Sequence, residues 1–287
     1  MEALHWERRP ELHEPIMLVA FEGWTDGGGA ASAAASYLSE RWSARPFAEI
    51  DPEEFYDFTV ARPHVKLDDS GDRSIVWPAN RFSAASVPSG RDVVLMVGIE
   101  PHTRWRAFSE CVTAVAKDTR VQAVFTLGAM LAGVPHTRPV VVRGSSADTR
   151  LAARLGLSRP QYQGPTGMVG VLQAAFVGAG VPVGSLMAQV PHYVPGTASP
   201  KATLALVERV CEMLSTEVPT EPLRQASATY EAQVSEAIGS DDEMVEYVRQ
   251  LEQRVDQTVL TPDEADLPSG DALAAELERF LREQDGP

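Results

Sequence analysis

The tetrapeptide Pro-His-Thr-Arg occurs twice in the sequence, at residues 101–104 and again at residues 135–138. Each copy carries an imidazole, which titrates near neutral pH, and a guanidinium, which binds carboxylates and phosphates through charge-assisted hydrogen bonds. Together the copies could hold an anionic ligand. In the structural alternative, the proline begins a turn, the threonine caps a helix and the arginine stays in solvent. The candidate ligand-binding residues are His102, Arg104, His136 and Arg138.

Two glycine-containing turns are further candidates for binding an anion, because each stands directly before a predicted helix. The first turn, residues 22–29, follows the apolar run 16–21, and the second, residues 164–167, precedes the apolar run 168–176. Exposed N–H groups at a helix N-terminus attract anions, and glycine lets a ligand or another backbone approach closely. In the structural alternative, an aspartate caps the first helix and the glycines allow close packing. The residues concerned are Asp26, Gly27, Gly28, Thr166 and Gly167.

Glu100 directly follows a predicted buried strand and is the one obvious acid for proton transfer beside these residues. No residue is assigned a catalytic role, because the sequence contains no recognisable nucleophile–base pair, metal-ligand cluster or cofactor fingerprint. The aspartates at positions 68, 69 and 72 lack the calcium-loop spacing and indicate a solvated turn. We therefore predict neither a metal nor a cofactor, and whether the protein is an enzyme is left open.

A predicted strand–helix–strand unit positions these residues. Two short apolar runs rich in β-branched residues, 93–99 and 121–127, have the pattern of strands that are buried on both faces. Between them Thr103 can cap a helix, and this connection makes the two strands parallel. Ligands of open α/β sheets bind outside the C-terminal ends of such strands, so we place the candidate site there. The apolar face of the intervening helix consists of Trp105, Phe108, Val112 and Val115.

The other elements predict an α/β core domain over residues 1–218 and an acidic helical extension over residues 219–287. Further core strands are predicted at 16–21, 139–142 and 185–190, and further core helices at 148–155 and 201–215. The extension is predicted to form a helical hairpin, followed by a linker and a last helix. These segments span residues 223–238, 241–257, 261–270 and 272–283. The second helix carries a narrow apolar seam of Met244, Val248, Leu251 and Val255.

The formal net charge of −15 is concentrated near the C-terminus. Residues 217–287 hold 18 acidic residues and 5 arginines, a balance of −13, which leaves 22 acidic and 20 basic residues, or −2, for residues 1–216. A nucleic acid is not an expected partner, because its phosphates would be repelled. No apolar run approaches the roughly 18 residues of a membrane helix, and the two cysteines lack disulfide or metal-site spacing. We therefore predict a cytoplasmic protein that does not bind a membrane.

Five ordered blocks of the sequence resemble the actinobacterial branch of the proteasome assembly chaperone two family. They are FEGWTDGG at 21–28, GIEP with RW at 98–105, GAMLAGVPHTRP at 128–139, GPTG at 164–167, and HYV with SPKA at 192–202. The resemblance implies a three-layer α/β/α sandwich, phosphorylase/hydrolase-like and similar to purine nucleoside phosphorylases. It also implies a helical C-terminal extension and a homo-oligomer, often a trimer. The eukaryotic relatives chaperone the assembly of proteasome α-subunits as heterodimers, and no catalytic residue carries over.

Two functions therefore stand as hypotheses. In the first, the protein is non-catalytic and binds a protein partner or other subunits through the acidic extension and the sheet edge, as an assembly chaperone would. In the second, it is an enzyme or sensor for a small anionic, nucleoside-like ligand, which the candidate residues named above would bind at the C-terminal ends of the strands. The absence of a recognisable catalytic group favours the first hypothesis.

Overall fold

The structure of the chain, a computed structural model, describes residues 3–68 and 70–260. Asp69, the linker 261–270 and the helix 272–283 predicted from the sequence lie outside these residues. The strands of the described part are β1 (Leu4–Trp6), β2 (Ile16–Glu22), β3 (Arg45–Ile50), β4 (His64–Leu67), β5 (Arg73–Val76), β6 (Asn80–Ser86), β7 (Asp92–Ile99), β8 (Ala123–Ala132), β9 (Val142–Ser146) and β10 (Val183–Pro191).

Eight of these strands form one mixed sheet in the order β1-β3-β6-β7-β2-β8-β10-β9, and β4 and β5 form a separate hairpin. The four central strands β7, β2, β8 and β10 are parallel, and the outer strands pair antiparallel with their neighbours. The central strands are buried on both faces, which agrees with their unbroken apolar sequences. The predicted parallel arrangement is confirmed, although β7 and β8 are not neighbours, because β2 pairs with both.

Helices cover both faces of the sheet and make three layers. The helices of the described residues are α1 (Ala30–Arg41), α2 (Trp105–Asp118), α3 (Thr149–Leu155), α4 (Met168–Gly178), α5 (Pro200–Leu214), α6 (Glu221–Ile238) and α7 (Asp242–Leu260). One core layer lies between the sheet and α1, α3 and α5, and the other lies between the sheet and α2 and α4. The α/β/α architecture predicted from the sequence is confirmed.

Two local predictions are wrong. Thr103 does not cap α2; its hydroxyl donates to the carbonyl of Glu54, and Arg104 occupies the cap position with a left-handed backbone (φ 54°). The strand predicted at 139–142 instead forms at Val142–Ser146, antiparallel to β10. β9 begins only where the chain reaches β10, with Val142 opposite Ala188, so its start is set by a strand about 40 residues further along the chain.

The two helices predicted for residues 223–238 and 241–257 are present as α6 and α7, which follow the core helix α5. α6 packs along α5, and α7 begins after a short turn at residues 239–241. Asp241 caps α7 by accepting the N–H groups of Glu243 and Met244 at 3.0 and 3.1 Å. No helix among residues 3–68 and 70–260 combines the length and the apolar character needed to cross a membrane.

Candidate functional site

We call the region outside the C-terminal ends of β2, β7, β8 and β10 the strand-end surface. Glu100, at the end of β7, binds the N-terminus of α4 there. Its Oε1 accepts the backbone N–H of Met168 at 2.6 Å, and its Oε2 accepts that of Trp24 at 3.2 Å. Glycines make room for this carboxylate, because a Cβ at Gly167 would lie 2.7 Å from Oε1 and one at Gly23 would lie 2.9 Å from Oε2. The N-terminus of α4 thus holds an internal anion.

The carboxylate of Asp26 likewise accepts backbone N–H groups, at the N-terminus of α1. Its Oδ1 accepts the backbone N–H groups of Ala31 at 2.7 Å and Ser32 at 3.2 Å, and its Oδ2 accepts the Ser32 hydroxyl at 2.5 Å. The preceding residue, Thr25, accepts the N–H of Ala129 at 2.8 Å and so fixes this turn to the end of β8. These contacts are those of the structural alternative, in which the aspartate caps the helix.

The remaining candidates in the two turns pack against neighbouring segments. Gly28 has a left-handed backbone (φ 60°), and a Cβ there would lie 2.8 Å from the Cβ of Ser199. A Cβ at Gly27 would lie 3.2 Å from the carbonyl oxygen of Ala129. The Thr166 hydroxyl lies over the first turn of α4, where a Cβ at residue 170 would come within 2.0 Å of it. Each glycine therefore permits a close approach that a side chain would block.

The first Pro-His-Thr-Arg copy fastens the loop after β3 to the strand-end surface. His102 Nδ1 accepts the backbone N–H of Asp57 at 2.9 Å, and the His102 backbone N–H donates to the carbonyl of Phe55 at 2.9 Å. Arg104 forms an ion pair with Glu54. Nδ1, the imidazole nitrogen that could accept a proton from a substrate, thus already accepts a hydrogen bond from the backbone.

The second copy binds helix α7. The Arg138 guanidinium donates to both oxygens of Asp256, from Nε at 2.9 Å and from Nη2 at 3.0 Å, and to Glu252 from Nη1 at 3.1 Å. The Thr137 hydroxyl also donates to Glu252. This forked arrangement lowers the pKa of Asp256 and raises the pKa of Arg138, in each case mainly through their mutual hydrogen bonds. Arg138 therefore binds carboxylates, and they belong to the same chain.

His136 is buried, with 2% of its surface exposed, and both of its ring nitrogens have hydrogen-bond partners. The Tyr193 hydroxyl lies 2.8 Å from both the backbone N–H and the Nδ1 of His136. Nε2 lies 2.9 Å from the Ser235 hydroxyl. Both ring nitrogens of His136 therefore face groups of the same chain.

Burial lowers the pKa of His136, and this gives a prediction for stability against pH. His136 makes its full contribution to stability above pH 6.5, the ordinary pKa of histidine, where the imidazole is neutral in both the folded and the unfolded chain. As the pH falls below that value, the unfolded chain binds a proton that the folded chain resists, so stability is lost. We expect the melting temperature of the wild-type protein to fall more steeply between about pH 7.5 and about pH 5.5 than that of His136→Gln. Thermal melts at fixed ionic strength measure this, and equal slopes would contradict it.

The structure thus brings Asp26, Glu100, Thr166 and Gly167 together around the starts of α1 and α4, whereas the two tetrapeptide copies bind different segments. Among the described residues no hydrogen bond joins one copy to the other. Sequence reasoning missed the internal partners of these groups, because their pairing depends on how distant segments pack. The only sequence signal was the placement of two acids one helical turn apart beside the apolar seam of the second extension helix. The missed partners are Glu54, Lys201, Glu231, Ser235, Glu252 and Asp256.

In the described part of the chain, no group of three or more histidine, cysteine, aspartate or glutamate side chains is arranged to hold a metal ion. The two cysteines, Cys111 and Cys211, are buried in α2 and α5, and burial raises the pKa of both thiols. Asp68 instead uses its carboxylate to close the β4–β5 turn, where it accepts the N–H groups of Ser70 and Asp72 at 2.9 Å.

Comparison with protein families and solved structures identifies relatives over most of the chain. Residues 20–238 match the model of the PAC2 family. A proteasome-assembly chaperone homologue from Mycobacterium tuberculosis is 45% identical over 81% of this chain and 99% of its own, with a TM-score of 0.73. A PAC2 family protein from Streptomyces avermitilis is 43% identical over 82% of this chain and 99% of its own, with a TM-score of 0.75.

More distant structures share the fold. The archaeal proteasome activator PbaB from Pyrococcus furiosus is 16% identical over 83% of this chain and 99% of its own, with a TM-score of 0.65. At this identity the likeness extends to the architecture alone. No curated protein matches the sequence.

Proposed function

Because the chain belongs to the PAC2 family, we propose that it is a non-catalytic protein that binds another protein in the manner of an assembly chaperone. One observation carries the proposal: the groups at the strand-end surface that could bind an anion already hold carboxylates of the chain itself. These groups are the N-termini of α1 and α4 and the side chains of Arg104 and Arg138. A small anionic substrate would have to displace an internal carboxylate at each of them, which disfavours the enzyme or sensor hypothesis.

The relatives support the same kind of role. The mycobacterial relative, at 45% identity, is described as a proteasome-assembly chaperone homologue. A function of that kind requires a surface that recognises a protein, and the acidic helices α6 and α7 supply one that differs in charge from the core. The outer side of α7 presents Asp242, Glu243 and Glu246 to solvent. Such a surface suits a partner with basic side chains.

We also propose an organisation for the whole chain. Residues 1–218 form the folded core, and residues 219–287 form an acidic extension that contacts the partner or a neighbouring subunit. The chain assembles as a homo-oligomer, with a trimer as the proposed state, and acts in the cytoplasm. Because each subunit carries a net charge of −15, the subunit contacts must exclude most of the extension's acidic surface or pair it with basic groups.

Affinity capture from a cell lysate tests this function. The baits are the full chain, a chain that ends at residue 260 and a chain that ends at residue 218. We expect the first two to capture the same partner, and the shortest chain to lose it or to change its oligomeric size, because it lacks α6 and α7. Circular dichroism establishes that each bait is folded. If the shortest chain is folded and keeps both the partner and the oligomeric size, the proposed role of the extension is wrong.

A further inference from the structure

The β4–β5 hairpin exposes an apolar face, which we call the hairpin face. Val65 lies opposite Ile75, and Leu67 lies opposite Arg73, so these four side chains share one side of the hairpin. The three apolar side chains are each more than half exposed. Because they are neighbours, they form one contiguous patch, and a contiguous exposed apolar patch is typical of a site that contacts another molecule.

The base of the hairpin is fixed to the core, whereas its strands are not. Trp77 directly follows β5, and its ring centroid lies 4.9 Å from that of Phe58, which packs against the core layer under α2 and α4. In the described part of the chain β4 and β5 pair with each other and with no strand of the large sheet. A lone two-stranded hairpin is marginally stable in water. Covering the hairpin face would therefore stabilise it.

The strands of the hairpin are basic, whereas the chain as a whole is acidic. They carry Lys66 and Arg73 and no acidic residue, in a chain with a net charge of −15. Neither cation forms an ion pair within residues 3–68 and 70–260. The exposed first turn of α7 carries the opposite charge on Asp242 and Glu243. The hairpin of one copy and the extension of another are thus electrostatically complementary.

The strand-end surface offers an apolar counterpart to the hairpin face. Trp24 is 64% exposed there, and Leu131 is 43% exposed. The base of the hairpin lies at the same end of the sheet, because the chain passes from it into β6 beside the C-terminal end of β7. Helix α7 borders this surface on the other side, where it contacts Gly133 and His192 after β8 and β10. The basic and the acidic element therefore flank the strand-end surface on opposite sides.

We propose that the β4–β5 hairpin is an arm that packs its apolar face on the strand-end surface of a second copy of this chain. The hairpin face covers Trp24 and Leu131 of that copy, and Arg73 approaches the acidic first turn of its α7. The proposal rests on the homo-oligomer proposed above and names the surfaces that meet in it. Because two different surfaces meet, each copy gives one arm and receives one, and such head-to-tail contacts close into a ring. A ring of three copies is the proposed trimer.

Sedimentation of the full chain over a range of concentrations tests the arm. In Ile75→Asp a charge enters the hairpin face, and we expect self-association at least about a hundredfold weaker than in the wild type. The matched control is Ser74→Asp, which adds the same side chain to the same strand but on the opposite side of the hairpin, and it should assemble like the wild type. Trp24→Ala removes the aromatic group from the receiving surface and should weaken assembly at least about thirtyfold.

Mixing the two defective chains tests whether different surfaces meet. Ile75→Asp keeps an intact strand-end surface, and Trp24→Ala keeps an intact arm. At a concentration where each is monomeric alone, we expect the mixture to form a heterodimer through the one intact contact. Circular dichroism and thermal melts establish that both variants are folded.

Three results would overturn the arm. They are assembly of Ile75→Asp like that of the wild type, equal weakening by Ser74→Asp, and a mixture of the two folded variants that stays monomeric. In each case the wild type still assembles, so the proposed homo-oligomer stands and other surfaces form it. A wild-type chain that is monomeric throughout would overturn the homo-oligomer together with the arm, and capture of a partner from lysate is measured separately from both.

Discussion

Replacing Glu100 with alanine should lower the stability of the protein by about 2 kcal/mol, because two backbone N–H groups lose their acceptor. One N–H group belongs to Met168 at the start of α4 and the other to Trp24 in the glycine turn, so Glu100 holds these two segments together. For a protein of this size the loss corresponds to a fall of roughly 4–8 °C in melting temperature. The melting temperature of Glu100→Gln should lie between those of the wild type and Glu100→Ala, since the glutamine amide oxygen can accept one of the two hydrogen bonds.

The same substitution should create an anion site. With the carboxylate gone, the N-terminus of α4 keeps its exposed N–H groups and its partial positive charge. Phosphate, sulfate or acetate should therefore raise the melting temperature of Glu100→Ala more than that of the wild type at equal ionic strength. Glu22→Ala, at the exposed end of the neighbouring strand, is the matched control and should show neither effect. If added anions raise the melting temperatures of the wild type and Glu100→Ala equally, the Glu100 carboxylate does not fill the anion site at the N-terminus of α4.

Replacing Leu251 with alanine should release α7 from the core. The side chain is fully buried, and a Leu→Ala change at such a site typically costs about 2–5 kcal/mol. Because α7 is attached mainly through one face, this cost should appear as local undocking and not as global unfolding. We expect residues 242–257 to lose hydrogen-exchange protection while the strands of the central sheet keep theirs.

The control for this experiment is Val245→Ala on the same helix. Val245 is 44% exposed, so its truncation removes little buried surface and should leave the exchange of α7 unchanged. Retained protection in Leu251→Ala would mean that the ion pairs of Arg138 suffice to hold the helix. Loss of protection throughout the sheet would mean that α7 is an inseparable part of the core.

The candidate site illustrates why anion-binding motifs are ambiguous in a sequence. A helix N-terminus preceded by glycine, or an arginine beside a histidine, binds any carboxylate that is presented in the right geometry. The sequence places these groups correctly at the strand ends, but it does not say whether the carboxylate comes from a ligand or from the chain. In this protein Asp26, Glu100, Glu252 and Asp256 fill those positions.

Some features of the fold were readable from the sequence because they depend on neighbours along the chain. The buried parallel strands follow from unbroken β-branched runs, and helix α7 follows from the seam that includes Val248 and Leu251. The late start of β9 and the cap of α2 at Arg104 were missed. Both depend on where a distant strand or loop lies, and local propensity does not carry that information.

The sequence by itself determined the layered α/β/α core, the family resemblance and the presence of helices α6 and α7 after the core, because periodicity, motif order and composition are local properties of the chain. Only the tertiary structure decided that β2 lies between β7 and β8 and that Arg138 binds the extension. The pairing of Arg138 with Glu252 and Asp256 joins residues more than a hundred positions apart. Such contacts form only when α6 packs along α5 and Leu251 of α7 is buried beside Gly133, so their identity is a property of the packed molecule.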